Sequence, residues 1–584
     1  MEATARPHWS LKVEVIALAA LLALICLLAY PGMSSQRLLD DKTQLEFVKE
    51  FRSWKDIFGP DAFGLFRPVK NLLFYLSGEW SLPVWHGFNL GTFLLTVVGV
   101  HLLLRRILGN PAWGLIGAAL WATSPTQVSA AVWMTCFNLN LAVAAGCAFL
   151  IGHDHVRTKD RAWFASLMTG LLLVTAQVCY ESAVALPLIA IIVDLLRKRP
   201  IFTRAAILRY GIYGGLTMAY LIVRSSTGAR TSAQGNFGFS PDLELWQLAL
   251  SAPWFFWRHL SMWLMPFGRI EYCSTYLWGV SAPLWVIAAS WVFLAAFFAV
   301  IVWTWKRQPW ISLGLLWFFV ASFPSSNFVP IFSGPIEDYY LIAPSIGLVI
   351  ALLGCARLLI ALRAERSARS PQYGFICGGL LALGITWRAL GIPLFWLQAG
   401  LWQNPIALYL SYEATRPAQF QLQAIAARLI MEKGNVEVAR QLAEQSFAIA
   451  PWNPHTLGLI GVIALTEEEY DKAISNLDQC MSRSAPHSSV HQFCRLRKAD
   501  ALMARPETRH LVRETLLPLL EDPTGEFHLD AVHTIVKFYL GENKEPQARN
   551  AVMRGLQHHP GEKSLLADLE TIDRANSPQT SPTQ

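Results

Sequence analysis

The sequence predicts an all-α protein in two parts: a polytopic helical membrane domain of about eleven spans, followed by an extramembrane α-solenoid. Of the 584 residues, 53% are hydrophobic and only 15% are charged, against roughly 25% charged in an ordinary soluble domain. The first 400 residues hold 30 Lys and Arg and 19 Asp and Glu, whereas the remainder holds 18 and 22. We therefore place the membrane domain at 1–400, a linker at 401–417, the solenoid at 418–573 and a disordered tail at 574–584.

Apolar runs close to the thickness of a bilayer recur through the first 400 residues. A hydrocarbon core about 30 Å thick requires about 20 apolar residues in a helix. The first run, 13–30, follows Arg6 and Lys12 and ends at Pro31 without a small-residue cleavage site, so we interpret it as a retained span. Further spans are predicted near 82–104, 110–125, 131–152, 162–180, 182–196, 207–224, 284–305, 309–323, 339–361 and 375–398.

The basic residues predict the orientation of these spans, because Lys and Arg collect on the cytoplasmic side. With the N-terminus in the cytoplasm, all the basic clusters fall on the cytoplasmic side: Arg105-Arg106, Arg157/Lys159/Arg161, Arg197-Lys198-Arg199, Lys306-Arg307 and Arg357/Arg363/Arg366/Arg369. The Trp-rich run 246–266 would break this agreement as a full span, so we predict an interfacial or re-entrant segment. The external side then holds the loops 31–81, 225–283 and 324–338 and everything after about residue 400. The basic excess indicates orientation and not nucleic-acid binding.

The C-terminal part changes to amphipathic helical patterns that repeat. The segment GNVEVARQLAEQSFAIAPWNP is echoed by EEYDKAISNLDQCMSRSAP, with Ala439 and Ala473 thirty-four residues apart. Thirty-four is the tetratricopeptide period, in which small residues let paired helices pack closely. A later echo, EPQARNAVMRGLQHHPG, places Ala548 at the same position. We predict about three such repeats, the middle one degenerate; the alternative is a generic bundle of helical hairpins.

The nine cysteines form no CxxC motif and lie mostly in apolar runs, which argues against a zinc module or a disulfide scaffold. Cys480 and Cys494 are the two in the repeat region. On an oxidising face of the membrane they can pair, and two buried thiols are an equal alternative.

An acidic pair, Asp40 and Asp41, opens the first external loop. One carboxylate of such a pair can accept a proton while the other positions a donor or holds a cation. Adjacent residues cannot flank a substrate from opposite faces, so a two-sided carboxylate mechanism is not implied. Solvated loop acids are the ordinary alternative.

An ordered series of strings follows this pair: FRPVKNLLFYL (66–76), VWHGFNLGTFLLTVVGVHLLLRR (84–106), SPTQVSAAVWMTCFNLNL (124–141), YESAVALPLIAIIVDLL (180–196), FPSSNF (323–328) and DYYLIAPSIG (338–347). Together with the external repeats, the series resembles the polyprenol-phosphate-sugar-dependent membrane glycosyltransferases of the GT-C class. It is most similar to their transmembrane and tetratricopeptide-containing, protein O-mannosyltransferase-like branch. The resemblance extends over almost the whole chain.

The resemblance implies a set of site residues. Asp40 and Asp41 match the catalytic acidic motif, and Arg67, in Phe66-Arg67-Pro68, matches an arginine suited to bind the donor phosphate, with Lys70 in support. An arginine that snorkels to the lipid headgroups is the alternative for Arg67. The residues expected to bind donor or acceptor are His86, Asn89, Glu181, Asn327 and Tyr340. For His86 and Glu181, a polar group satisfied at a helix end is the alternative.

The chain departs from the family pattern at two motifs. Related sequences have His-Pro with a Glu four residues after the Pro, where this chain has Ser124-Pro125 and Ser129. They have Glu-Arg-Tyr where it has Asp338-Tyr339-Tyr340. These changes put the recognition of sugar or phosphate, or the activity itself, in doubt.

The resemblance implies an inverting hexosyltransferase. It would transfer a sugar from a polyprenyl-phosphate donor to a hydroxyl of an acceptor protein that the repeats recruit on the non-cytoplasmic side. The expected partners are that donor, membrane lipid and the acceptor protein, with no nucleic acid. The expected location is a bacterial inner membrane, with the N-terminus cytoplasmic and the repeats periplasmic. We assign no metal, and a divalent cation at the acidic pair stays an alternative because two acids supply few ligands.

Two other functions stay open. A non-catalytic scaffold could use the repeats to assemble envelope machinery on a retired transferase fold. Alternatively, the sugar could pass to a lipid or a cell-wall glycan instead of a protein.

Overall fold

A computed structural model of the chain describes residues 10–38, 40–78, 80–156, 162–229, 245–265, 284–326, 328, 336–366, 371–415, 420–484, 489–523, 525 and 527–575. Every regular element in these ranges is an α-helix or a short 3₁₀ turn, which confirms the all-α prediction. The chain divides into two compact units, Met1–Thr415 and Arg416–Gln584. The division lies inside the predicted linker 401–417, most of which is helical.

The first unit contains seventeen described α-helices and several 3₁₀ turns. The helices are α1 Leu11–Ala29, α2 Asp40–Lys49, α3 Pro68–Leu76, α4 Leu82–Leu108, α5 Pro111–Ala122, α6 Val128–Val132, α7 Phe137–Val156, α8 Ala162–Cys179, α9 Leu186–Leu196, α10 Arg204–Ser226, α11 Leu245–Leu264, α12 Leu284–Thr304, α13 Pro309–Ser322, α14 Pro344–Arg366, α15 Pro371–Ala389, α16 Gly391–Leu401 and α17 Pro405–Thr415. The 3₁₀ turns that matter for the site are Pro125–Gln127, Met134–Cys136, Glu181–Ala185 and Asp338–Leu341.

Seven helical stretches among the described residues are long and apolar enough to cross a membrane, and each coincides with a predicted run. They are Leu11–Ser34, Leu82–Leu108, Met134–Val156, Arg204–Ser226, Leu284–Thr304, Pro344–Glu365 and Gly374–Leu401. The other four predicted runs form shorter helices. α5, for example, has 12 residues and is about 18 Å long, well short of the hydrocarbon core. Several apolar helices of spanning length are thus present, and the number eleven stays a prediction.

The Trp-rich run 246–266 forms α11, which is not one of these seven stretches. It packs against α12 and against the turns Pro125–Gln127 and Asp338–Leu341. Its buried polar residues include Arg258 and His259, at 7% and 1% exposure. Whether α11 is interfacial or re-entrant stays a prediction.

Glycines allow α13 and α14 to approach each other closely. A Cβ atom on Gly314 would lie less than 3.0 Å from the backbone N of Ala351 and the carbonyl O of Gly347. Both are backbone atoms, which cannot move aside as the end of a flexible side chain can. A Cβ atom on Gly347 would lie 2.7 Å from the backbone N of Phe318. This contact fixes the start of α14, and with it the turn Asp338–Leu341 immediately before it.

The second unit is a series of helices that pack pairwise. They are α18 Phe420–Glu432, α19 Val436–Ile449, α20 Pro454–Thr466, α21 Tyr470–Ser482, α22 Ser489–Ala504, α23 Val512–Leu520, α24 His528–Gly541, α25 Glu545–His558 and α26 Lys563–Ala575. Consecutive helices contact each other, and α20 also contacts α18 and α22, while α22 also contacts α24. Stacked helix pairs of this kind are typical of an α-solenoid.

One turn geometry recurs at the positions of the predicted repeats. In three helix pairs, a residue in the left-handed conformation lies two positions after the end of the first helix. A fully buried alanine follows five residues later, in the second helix. The backbone N–H after each left-handed residue donates to a carbonyl five residues earlier, which is the Schellman arrangement. The left-handed residues are Gly434 at φ 86°, Glu468 at φ 62° and Asn543 at φ 55°, and the alanines are Ala439, Ala473 and Ala548.

Cys480 and Cys494 form a disulfide between the end of α21 and α22. Of the two alternatives left by the sequence, the structure therefore has the paired cysteines. Gly458 in α20 leaves room for this bond, because a Cβ atom there would lie 2.7 Å from the Sγ of Cys494.

Candidate functional site

Two predicted site residues, Arg67 and Glu181, meet in an ion pair. Arg67 immediately precedes α3, where Pro68 occupies the first helical position with its ring-fixed φ. Glu181 begins the 3₁₀ turn that follows α8. The Nε of Arg67 donates to Oε2 of Glu181 at 2.8 Å and Nη2 donates to Oε1 at 2.6 Å, which is a bidentate contact. The segment before α3 is thereby fixed to the end of α8.

The Arg67 guanidinium is also stacked on an aromatic ring. Its Cζ lies 4.2 Å from the centroid of the Tyr180 ring, and the whole residue is 7% exposed. Burial alone would lower the pKa of Arg67, but the Glu181 carboxylate raises it well above its usual value. Burial would raise the pKa of Glu181, and Arg67 lowers it overall. Both groups are therefore charged at neutral pH, and the pair leaves the Nη1 of Arg67 for a further acceptor.

Two further residues at this site, Arg224 and Tyr220, were not identified by the sequence analysis. Arg224, near the end of α10, is close enough for its charge to help lower the pKa of Glu181. Tyr220, one helical turn earlier, places its ring 6.0 Å from that of Phe66, next to Arg67. Arg224 had a usable signal: the predicted orientation puts that end of α10 outside, where a basic residue is unusual.

Lys70 pairs with Asp61 in this structure. Its ammonium is fully buried and donates to Oδ2 of Asp61 at 3.0 Å. The Oδ1 of Asp61 accepts from the backbone N of Phe63 and of Leu65. Burial would raise the pKa of Asp61, but Lys70 and Arg67 lower it overall. Lys70 thus closes the 61–65 loop against α3, and its support of a phosphate stays a prediction.

The acidic pair opens α2. The carboxylate of Asp41 is 2% exposed and accepts from the backbone N of Leu38, the backbone N of Thr135 and the hydroxyl of Thr135. Asp41 therefore ties the start of α2 to the turn Met134–Cys136. Asp40 is the first residue of α2, and its side chain lies outside the described part of the chain, as does Asn327.

His86 and Asn89 are buried at the start of α4. The Nε2 of His86 lies 2.9 Å from the carbonyl O of Ser35. The amide of Asn89 donates to the carbonyls of Ala130 and Ala131 at 3.1 and 3.0 Å, and so holds α4 against α6. Both side chains have partners inside the protein at helix ends. For His86 this is the alternative that the sequence analysis left open, and the binding roles of both residues stay predictions.

The two motifs at which the chain departs from the family pattern meet in space. The hydroxyl of Ser129 donates to Oδ2 of Asp338, and burial raises the pKa of Asp338 to about 6. The predicted residue Tyr340 lies beside this contact, with its ring centroid 5.9 Å from that of His259 in α11. Neither nitrogen of the His259 ring has a well-formed hydrogen bond among the described residues.

A small apolar cavity of about 40 Å³ adjoins the Arg67 site. It lies between α7, the turn Glu181–Ala185, α9, α13 and α14, and it opens to the surface. Residues of the turn immediately after Glu181 line one part of it. The remaining lining is almost wholly hydrophobic, for example Val143, Leu186, Trp317 and Ile346. A permanent cation and an apolar cavity thus flank the same short turn, an arrangement that suits an amphiphile with an anionic head.

Within the described ranges, no group of three or more His, Cys, Asp or Glu is arranged to hold a metal ion. No protein-family model matches the chain, and no curated protein matches it significantly. Among solved structures, a chain of the APC/C hetero-tetramer Cut9–Hcn1 is 14% identical, with 87% of this chain and 99% of that chain covered and a TM-score of 0.28. Yeast Tom70 is 11% identical, with 83% and 95% covered and a TM-score of 0.25. TM-scores this low do not establish a common fold, so neither structure bears on the function.

Proposed function

We propose that this chain is a membrane glycosyltransferase that moves a sugar from a polyprenyl-phosphate donor to a hydroxyl of an acceptor protein on the non-cytoplasmic side. The observation that supports this most is the position of Arg67. An anionic head requires a cation that stays charged when buried, and an isoprenoid tail requires an apolar cavity. The ion pair with Glu181 keeps Arg67 charged, and the apolar cavity adjoins the same turn.

The reaction is a single displacement at the anomeric carbon. The acceptor oxygen forms a bond to that carbon while the bond from the carbon to the phosphate oxygen breaks, and the anomeric configuration inverts. The acceptor proton passes to a carboxylate of the acidic pair, and polyprenyl phosphate leaves with the bonding electrons. Arg67 stabilises the charge that develops on the departing phosphate, with Arg224 nearby as a second cation.

Within the acidic pair we assign the base role to Asp40. The carboxylate of Asp41 already accepts three hydrogen bonds, so it is less available to a substrate proton and acts chiefly to position α2. Asp40 is the adjacent carboxylate at the start of the same helix. The structure does not describe its side chain, so the assignment rests on the sequence and on the part that Asp41 takes.

The repeat unit supports the proposed location. A disulfide between Cys480 and Cys494 is stable in an oxidising compartment, which favours a periplasmic position for the repeats and leaves the N-terminus cytoplasmic. Stacked helix pairs offer an extended surface that can hold a polypeptide, and we assign the recruitment of the acceptor protein to them.

The alternative of a non-catalytic scaffold is favoured by a different observation. Asp41, Arg67 and Lys70 all have partners inside the protein, as a retired active site would. A scaffold would use the repeats in the same way and would need no donor.

The experiment supplies purified full-length protein with a labelled polyprenyl-phosphate sugar and candidate acceptors, and then separates protein, lipid and glycan fractions. The proposal expects label in protein, a loss of at least about a hundredfold in Asp40→Asn, and a smaller loss in Asp41→Asn. Asp56→Asn is the matched control, because Asp56 lies in the same loop and its carboxylate accepts from the nearby backbone N–H groups of Arg52 and Ser53.

Label in the lipid or glycan fraction would identify a different acceptor and would contradict transfer to protein. No transfer by the wild type, with every variant still supporting envelope assembly, would favour the scaffold.

A further inference from the structure

We propose a binding site for the phosphate of an anionic lipid headgroup where α4, α7 and α9 end. This region lies at the start of α10, whereas Arg224 and the Arg67 site lie at the end of α10. The site involves none of the residues proposed for sugar transfer, so it is independent of the proposed function.

Two aspartates connect the charged groups of this region. Asp154, near the end of α7, accepts from Arg106 of α4, from Nη1 of Arg197 at 2.7 Å and from Nη2 of Arg199 at 2.6 Å. Asp194 of α9 accepts from Arg199 at 2.9 Å and from the hydroxyl of Tyr210 at 2.7 Å. Its Oδ2 also lies 3.1 Å from the Nε2 of His153. The cluster therefore extends over the ends of four helices.

The cluster has more positive than negative charge. Three arginines face two aspartates, which leaves one positive charge uncompensated even when His153 is neutral. Arg106 is the arginine best placed to present this charge to a ligand. Its side chain is 41% exposed, and only its Nε donates within the described part of the chain, so both Nη groups are available.

A small cavity of about 10 Å³, roughly the space for one water molecule, opens among these groups. Arg106, Arg197, His153 and Asp154 line it together with apolar residues of α4, α7 and α9. His153 is 1% exposed, and its Nδ1 has no hydrogen-bond partner among the described residues. A buried polar atom that faces a cavity without a partner indicates a missing ligand or water.

The capping of helix ends accounts for part of this cluster. The Nη2 of Arg197 donates to the carbonyls of Arg106 and Ile107, which are among the last carbonyls of α4. Capping accounts neither for the two available Nη groups of Arg106 nor for the unpartnered Nδ1 of His153. Arg106 and His153 both line the cavity, and the two Nη groups of Arg106 favour an anion at its mouth. The Nδ1 of His153 can donate to that anion when the ring carries both protons, because Nε2 carries the proton that Asp194 accepts.

The surroundings of the cavity favour a lipid over a soluble phosphate. α4, α7 and α10 belong to the seven stretches of spanning length, and their ends meet here, as expected of a membrane boundary. Leu102 lies one turn before Arg106 and is 42% exposed, and Leu195 lies one turn before Arg199 and is 38% exposed. Basic pockets between membrane helices are known to bind anionic headgroups, and exposed apolar residues beside such a pocket can contact the acyl chains.

The test measures binding of phosphatidylglycerol, phosphatidylcholine and inorganic phosphate to the full-length protein in detergent, by native mass spectrometry and by the shift in Tm. We expect phosphatidylglycerol to bind more tightly than phosphatidylcholine, and Arg106→Gln to weaken this binding by about tenfold. Arg307→Gln is the matched control, because Arg307 is exposed, stacks on Trp303 and lines neither cavity described here. The Tm of each variant in phosphatidylcholine alone reports whether the fold is intact.

Equal binding of phosphatidylglycerol and phosphatidylcholine by the wild type would overturn the proposal. So would an equal loss in Arg106→Gln and Arg307→Gln, since it would indicate a general charge effect. Binding of inorganic phosphate without any preference for phosphatidylglycerol would identify a soluble anion and would also overturn the assignment to lipid.

Discussion

Ser129 donates a hydrogen bond to the carboxyl group of Asp338 across 209 residues of sequence. Each of these residues lies in one of the two motifs at which the chain departs from the family pattern. The two motifs therefore contact each other, and this contact fixes the turn Asp338–Leu341 against α6.

The first prediction concerns the pH dependence of stability. Burial raises the pKa of Asp338 to about 6 in the folded protein, above its usual 3.8, so the folded state binds this proton more tightly than the unfolded state. The free energy of unfolding should then decrease as the pH rises from about 4 to about 6 and should show no further change from this group above that range. In Asp338→Asn this component should vanish, and the Tm of wild type and variant across pH 4–8 in detergent measures it.

Ser129→Ala provides the complementary test. The Ser129 hydroxyl lowers the pKa of Asp338, so its loss should raise that pKa further and should destabilise the protein more at pH 7 than at pH 4. We expect about 1 kcal/mol at pH 7. An equal effect at both pH values would contradict the role assigned to this hydrogen bond.

A second prediction concerns the pair of Arg67 and Glu181. Removing either charge leaves the other buried without its partner, so Arg67→Gln and Glu181→Gln should each destabilise the protein by about 3–5 kcal/mol. The double variant should lose less than the sum of the two, because no charge remains unpaired. Thermal unfolding of the four proteins in detergent gives the coupling energy, and a strictly additive result would contradict a direct interaction.

A third prediction concerns the disulfide. Both cysteines are fully buried, so the test uses denatured protein. Cys480 and Cys494 should resist alkylation in protein extracted from its host and denatured, until a reductant is added, because the bond forms in an oxidising compartment. Replacing both by Ser should cost about 3 kcal/mol, since the bond closes a loop with a separation of 14 residues. Ready alkylation without reductant, measured by peptide mass spectrometry, would contradict a periplasmic position of the repeats.

A fourth prediction concerns the contact between α13 and α14. Gly314→Ala should destabilise the protein by about 1–3 kcal/mol, because the added Cβ meets the backbone of α14. Gly379→Ala is the control within α15, where a Cβ atom meets nothing within 4 Å, and there we expect a neutral or slightly stabilising effect. Similar Tm changes in the two variants would contradict the close approach of the helices.

Much of the fold was accessible from the sequence because it depends on local patterns. The apolar run 207–224 predicts α10 to within three residues at each end, and the spacing of Ala439 and Ala473 predicts two equivalent helix pairs. Hydrophobicity alone did not reveal where helices stop. The run 110–125 contains both Asn110, which caps α5, and Pro125, which opens the next turn, so the helix between them is too short to cross a bilayer.

The site was less accessible, because its contacts join distant parts of the chain. Arg67 and Glu181 were each named as candidates, but nothing in the sequence pairs them across 114 residues. Lys70 was named in support of Arg67 at the donor phosphate, and the competing carboxylate of Asp61 could not be weighed without coordinates. Whether a polar side chain faces a ligand or an internal partner depends on packing, which the sequence does not contain.

α10 is held near both of its ends. Tyr210, in its first third, donates to Asp194, and the Tyr220 ring near its far end lies beside Phe66. A helix in a thinner or thicker bilayer ordinarily adapts by tilting. Any tilt of α10 would disturb both contacts, so hydrophobic mismatch at this helix should be accommodated by deformation of the surrounding lipid.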